Sequence, residues 1–207
     1  MRLDTKNIVQ FIGCVTKDNM CMIVMEYCKL GSLYSYIKKY NVSLSLKLYL
    51  MMDISSGLGC LHKCKIIHND LATRNILVDK DINDQIICKI TDYGLSKTID
   101  STIKLDEYTK LPIRWCAPEV LKNRNTSYKS DIWSYGMTIY EIYTNGKQPF
   151  YEYSDFKDVL EKIEKGHIPD KPISCPLELY KLMKICWYKT PEKRPNTQQI
   201  SQYLSKL

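Results

Sequence analysis

The chain has 207 residues, of which 44% are hydrophobic and 26% charged, and a formal net charge of +7. That length supports one substantial core or two small ones, and the balance is ordinary for a globular protein. The lysines are spread along the chain rather than clustered, so the charge reads as a solvated surface and nucleic-acid binding is not expected.

Residues 8–15 (IVQFIGCV) and 21–27 (CMIVMEY) are β-rich runs around the polar TKDN and predict a hairpin. The most apolar run, MCMIVMEYC, is interrupted by Glu26 and is too short to span a bilayer. The first ten residues carry no apolar leader core. A cytoplasmic protein without membrane contact is therefore expected. After Gly31, GSLYSYIKKY predicts a short helix, and Leu46, Leu50, Ile54, Leu58 and Leu61 recur at helical spacing over 46–62. Short strands follow in KIIH, NILVD and QIICKI, the last two flanking the turn KDIND.

Further on, SDIWSYGMTIYEIYTNG predicts a helix with Ser130 as N-cap and Gly146 as its stop. Apolar residues wrap most of its circumference, which places it in the middle of the domain. Three more helices are expected near 154–165, 176–188 and 197–206, punctuated by Pro172, Pro176, Pro191 and Pro195. The nine cysteines are odd in number and none stand as C-x-x-C, so reduced, mostly buried thiols are expected rather than a zinc site or disulfide framework. His62 and His167 have no partners in any motif and read as surface or helix-end residues.

Five blocks then carry the chemistry: HNDLATRNILV, ITDYG, LPIRWCAPE, SDIWSYGMTIYEIYTNGKQPF and CPLELYKLMKICWYKTPEKRPN. In this order and at this spacing they resemble the signatures of protein kinases. Upstream, NIVQFIGC and IVMEYCKLGSL resemble the last strands of the kinase small lobe and the hinge, so the resemblance covers nearly the whole chain. LATRN and PIRW are similar to the tyrosine-kinase branch. The stretch IVMEYCKLGSL is also similar to the mixed-lineage kinase domain-like pseudokinase. Chains of this kind resemble the kinase decoys of large DNA viruses.

The resemblance implies a mainly α fold: a kinase large lobe over residues 28–207, with a two-stranded remnant of the small lobe over 1–27. It implies Asp70 as catalytic base, Arg74 aimed at base and substrate, and Asn75 and Asp92 as metal ligands. Met25, Glu26, Tyr27 and Cys28 would form the nucleotide hinge, with Leu77 beneath it. Tyr93, Gly94, Tyr108 and Glu119 would belong to the activation segment, with Tyr108 as the modifiable tyrosine. His68 would be a core residue, Asp131 would hold the catalytic loop, and Arg194 would pair with Glu119.

Two departures weigh against activity. The residue before the base is Asn69 rather than the family's arginine. No glycine-rich loop or Val-Ala-x-Lys strand stands before NIVQFIGC, and the one Gly-x-Gly, Gly57/Gly59, falls inside a helix. The chain is therefore expected to be a truncated tyrosine-kinase-like pseudokinase that acts by binding protein, a host kinase or a second copy of itself. Phe11 and Ile23 of the hairpin would form the contact surface. No cofactor is expected to bind tightly. The alternative is an active tyrosine kinase using ATP and Mg²⁺, with its N-terminal part lost or supplied in trans.

Overall fold

The computed structural model describes residues 6–17, 20–92, 97–98 and 103–207. Two antiparallel strands, β1 (Phe11–Lys17) and β2 (Met20–Met25), form the hairpin, with an irregularity between Phe11 and Gly13. The rest is a helical body. Its helices are α1 (Leu33–Lys39), α2 (Leu44–Lys63), α3 (Pro118–Asn123), α4 (Tyr128–Tyr143), α5 (Phe156–Glu164), α6 (Leu177–Cys186) and α7 (Thr197–Leu204). Between α2 and α3 lie β3 (Ile66–Ile67), β4 (Ile76–Lys80), β5 (Ile86–Ile90), β6 (Lys97–Thr98) and β7 (Ile103–Lys104), and β8 (Asn125–Thr126) follows α3. β4 pairs with β5, β3 with β6 and β7 with β8, all antiparallel. This is the mainly helical large lobe with a small hairpin that the sequence implies.

Helix boundaries follow local chemistry. Ser32 and Ser43 cap α1 and α2 by accepting from Ser35 N and Leu46 N, both at 3.2 Å. In α2, Leu50, Ile54, Leu58 and Leu61 recur at three- and four-residue spacing and are fully buried. α2 is long and apolar enough to cross a membrane by length and composition, but that apolar stripe faces the core. α4 is buried along nearly its whole length, as its all-round apolar pattern predicts. Its N-cap is Ser127 rather than Ser130: Ser130 occupies the third helical position and returns a bond to the Ser127 N–H at 3.0 Å. Two serines three residues apart are both plausible caps, and the pattern alone does not say which stands outside. Gly146, at φ 82°, closes the helix by donating to Glu141 O at 2.8 Å.

The start of the chain differs from the sequence reading. Ile8 and Val9 are buried and lie outside the hairpin. Asn7 O accepts from Ile90 N, and Ile90 O from Val9 N, each at 2.9 Å, so residues 7–9 run beside β5 in the helical body. Asn7 also donates from Nδ2 to Cys88 O at 3.0 Å. The hairpin is fastened one step later. Gln10 N donates to Glu26 Oε1 at 2.7 Å, and Glu26 Oε2 pairs with Lys89 at 2.6 Å. Phe11 and Ile23 remain 56% and 66% exposed.

Gly57 of α2 makes room for this entry. A Cβ there would meet Asn7 O at 2.5 Å and Ile90 Cδ1 at 3.1 Å. Gly57→Ala is therefore expected to lose about 1–3 kcal/mol of stability, because a backbone carbonyl cannot rotate aside. Gly59→Ala, whose nearest neighbour is the rotatable Thr197 hydroxyl at 3.0 Å, is expected to stay within about 1 kcal/mol of the unmodified chain. Urea denaturation of the two variants checks the contrast; equal losses would contradict it.

Candidate active site

The segment His68–Asn75 crosses between β3 and β4, and its backbone is fixed by α4. Asp131, 1% exposed, accepts from His68 N at 2.9 Å and from Asn69 N at 3.0 Å. His62, in the last turn of α2, brings Nε2 to 2.9 Å from the same carboxylate and stacks on Tyr128. His62 is thus the helix-end residue expected, but it is half-buried and has a partner. Nothing in its sequence neighbourhood signals this, because its partner lies 69 positions away. His167 is exposed at a helix end, as expected.

His68 is fully buried. Its Nδ1 accepts from Asp70 N at 3.2 Å, which assigns the ring proton to Nε2, and Nε2 donates to Thr91 O at 3.0 Å. A core hydrogen-bonding role is what the sequence predicts for it. The bond also ties the catalytic loop to the residue before Asp92.

Asp70 sits at the centre of the loop with its carboxylate held from two sides. Asn75 Nδ2 donates to Asp70 O and Oδ2, both at 2.8 Å. Arg74 pairs with Oδ1. Arg74 itself lies over the Trp115 ring, 4.6 Å from its centroid. Trp115 belongs to the short 3-10 turn Ile113–Trp115 of the PIRW block, and its Nε1 donates to Glu141 at 3.0 Å. Glu141 also accepts from Thr73 N at 3.0 Å and Thr73 Oγ1 at 2.9 Å. Sequence reasoning missed Glu141; its one signal is an acid near the end of α4 flanked by the apolar Ile139, Tyr140, Ile142 and Tyr143. Neighbouring Arg114 is buried and spends its guanidinium on the carbonyls of Pro149, Phe150 and Tyr153, which fixes the platform to the loop before α5.

Asn75 and Asp92 are brought together by the ladder: Thr91 N donates to Asn75 O at 3.0 Å, and Asp92 follows in the left-handed region at φ 62°. Because Asn75 turns Nδ2 toward Asp70, its Oδ1 is the atom left for a cation. That amide oxygen and the exposed Asp92 carboxylate are hard donors, and the set fits Mg²⁺. On the hinge side, Cys28 is buried and its thiol is pushed up to about 11 by burial and by Glu26, while Met25 and Tyr27 are exposed. Leu77, half-buried on β4, bridges to Ser32 beside the hinge. Tyr108 is 95% exposed in a turn whose Tyr108 and Thr109 N–H groups donate to Asp106. Tyr93 and Gly94 lie outside the described residues.

Arg194 is fully buried and forms a two-toothed pair with Glu119 at 2.6 and 2.8 Å. It also donates to Tyr188 O and Lys129 O, each at 2.8 Å. This fastens the end of the activation segment to the loop before α7.

These arrangements place the chain among the protein kinases. The family described as protein tyrosine and serine/threonine kinase matches residues 1–204. The chain is 36% identical to ephrin type-A receptor 5 of Homo sapiens over 211 residues, covering all of this chain and 20% of that protein. It is 38% identical to tyrosine-protein kinase Btk of Drosophila melanogaster over 199 residues, covering 94% of this chain and 25% of that protein. The chain belongs to the protein kinase family. Within it, the relatives and the LATRN and PIRW blocks mark a domain of the tyrosine-kinase type. It spans about a fifth to a quarter of the length of these relatives.

Glu119→Ala is expected to cost about 3 kcal/mol or more, since it strands a buried guanidinium. Thermal unfolding checks this; a loss below about 1 kcal/mol, as for a surface pair, would contradict it. Glu141 generates a pH prediction. Burial lifts its carboxyl above the ordinary value of 4.5, against the lowering pull of Thr73, Trp115 and Arg74. A carboxyl raised in the folded state binds more protons folded than unfolded between the two values, so stability falls as pH rises through that window. The advantage of the unmodified chain over Glu141→Gln is expected to shrink as pH climbs from 4.5 past the folded value. Urea midpoints of both proteins across pH measure the trend, and a widening gap would refute it.

Proposed function

We propose that the chain is the acceptor-side half of a protein tyrosine kinase site, with the grip on the nucleotide phosphates supplied by groups outside these 207 residues. The supporting observation is the double hold on Asp70 by Arg74 and Asn75, with Arg74 laid on Trp115. This leaves a carboxylate fixed beside an aromatic platform, which is what a phenolic acceptor requires. In this reading the substrate tyrosine donates its O–H to Asp70. As the phenol oxygen bonds to the γ-phosphorus and the bridging oxygen departs with ADP, the proton passes to the carboxylate. Asn75 Oδ1 and Asp92 would hold Mg²⁺, which neutralises charge on the phosphates when bound. That the Btk relative is a tyrosine-protein kinase supports tyrosine as the acceptor.

A second reading is binding without transfer, to another kinase domain or a second copy of the chain. It is favoured by Asn69, which cannot grip a phosphorylated activation segment as arginine does. The exposed Phe11 and Ile23 on the hairpin favour it too.

Gly57 and Gly59 lie on α2, facing Asn7 and Thr197, and no second Gly-x-Gly stands in the sequence. Each missing charge-assisted bond to phosphate is worth about 1.5–3 kcal/mol. The 207-residue chain alone is therefore expected to bind Mg·ATP weakly, with little change in melting temperature and no label transferred to a tyrosine polymer. A longer protein that includes a complete small lobe is expected to transfer label, and Asp70→Asn to abolish it. Clear stabilisation of the short chain by Mg·ATP, lost in Asp92→Ala, would show that the phosphate grip lies within it. A folded longer protein that transfers nothing would leave binding as the function.

A further inference from the structure

The last turn of α2 carries two cysteines that no part of the site uses. Cys60 and Cys64 stand four residues apart on one face, and both are partly exposed. Cys28, Cys88, Cys116, Cys175 and Cys186 are instead buried, and Cys14 is exposed on the hairpin. Cys60 opens into a groove of about 500 Å³ between α2 and α7, lined also by Ser56, Lys63, Gln198 and Ser201. Small solutes in water therefore reach it. Cys64 is the C-cap residue, at φ −84° and ψ 9°, and its N–H donates to Cys60 O at 3.1 Å. Lys65 follows in the left-handed region at φ 61°, so the helix ends here and its final turn has room to adjust.

Burial and the neighbouring Cys64 raise the Cys60 pKa, against the pull of Lys63. Oxidation starts at the sulfur with thiolate character, and a neighbouring thiol resolves the product.

We propose that Cys60 and Cys64 form a hydroperoxide-sensitive dithiol whose closure to a disulfide loosens the catalytic loop. One sulfur of the pair, as its thiolate, attacks hydrogen peroxide, giving a sulfenic acid and hydroxide. The other thiol then attacks that sulfur, the S–S bond forms, and water leaves. A thiol reductant reverses the step by exchange.

The mechanical consequence follows from distances. Cβ atoms four apart on a helix lie about 5–6 Å from each other. A disulfide holds its Cβ atoms about 3.5–4.5 Å apart. The last turn must contract to close that gap, and His62 lies between the two sulfurs in sequence. His62 contacts Asp131, whose carboxylate holds the His68 and Asn69 N–H groups. Contraction pulls on that carboxylate and so on the loop that presents Asp70.

The test uses the whole chain and does not depend on phosphotransfer, so it stands apart from the proposed function. Trypsin cuts after Lys63, so the disulfide appears in a digest as residues 48–63 joined to residues 64–65. The joined peptide is expected after hydrogen peroxide and is expected to vanish with dithiothreitol. In Cys60→Ser and in Cys64→Ser it should be absent. Amide exchange at His68 and Asn69 is expected to quicken about threefold or more in the oxidised chain, and not in peroxide-treated Cys60→Ser. Failure to form the joined peptide would overturn the proposal. Its formation with unchanged exchange at His68 and Asn69 would overturn the coupling to the loop.

Discussion

The His68–Asn75 loop is pinned to one helix at three points, and the rest of the site depends on that pinning. Asp131 holds the backbone of His68 and Asn69, Thr138 Oγ1 reaches Leu71 O at 3.4 Å, and Glu141 holds Thr73. The three side chains are seven and three residues apart, so they share a face of α4. Asp131 and Glu141 are separated by about 15 Å of helix rise, which is enough to stretch the loop along a rigid rod. Asp70 and Arg74 sit between and just beyond these anchors, and so inherit their positions from α4 rather than from the loop. The loop gains order this way, with Leu71 and Ala72 seated in the core, while Asp70 and Arg74 stay partly or fully accessible.

That rod is costly to place. α4 is buried on every side, so its acids and hydroxyls sit where unpaired polar groups are expensive. The cost is offset by giving each a set of donors: three hydrogen bonds each to Asp131 and Glu141. The PIRW turn and the His68–Asn75 loop are then coupled through one carboxylate, since Glu141 touches both Trp115 and Thr73. Arg194 plays a comparable part at the far end of the activation segment, where one guanidinium gathers Glu119 and two carbonyls.

The sequence was legible where function or periodicity repeats locally. The helical spacing of Leu50, Ile54, Leu58 and Leu61, the turn KDIND between β4 and β5, and the motif order each predict what is found. Less legible were contacts made between distant segments. Glu26 with Lys89 and His62 with Asp131 join residues 63 and 69 positions apart, and no local pattern announces either. Ile8 and Val9 read as strand, which they nearly are, but their partner is β5 rather than β2. Period-2 alternation reports that a segment is extended and says little about what it lies against.

Asn69 carries one more implication. It occupies the left-handed region at φ 68°, where a short amide side chain is better tolerated than a long one. Its N–H is also committed to Asp131. A change to arginine at this point would set a bulkier residue in a strained backbone, at a cost of about 1 kcal/mol, before any phosphate repaid it. With asparagine, the loop takes its shape from its bonds to Asp131, Thr138 and Glu141 on α4.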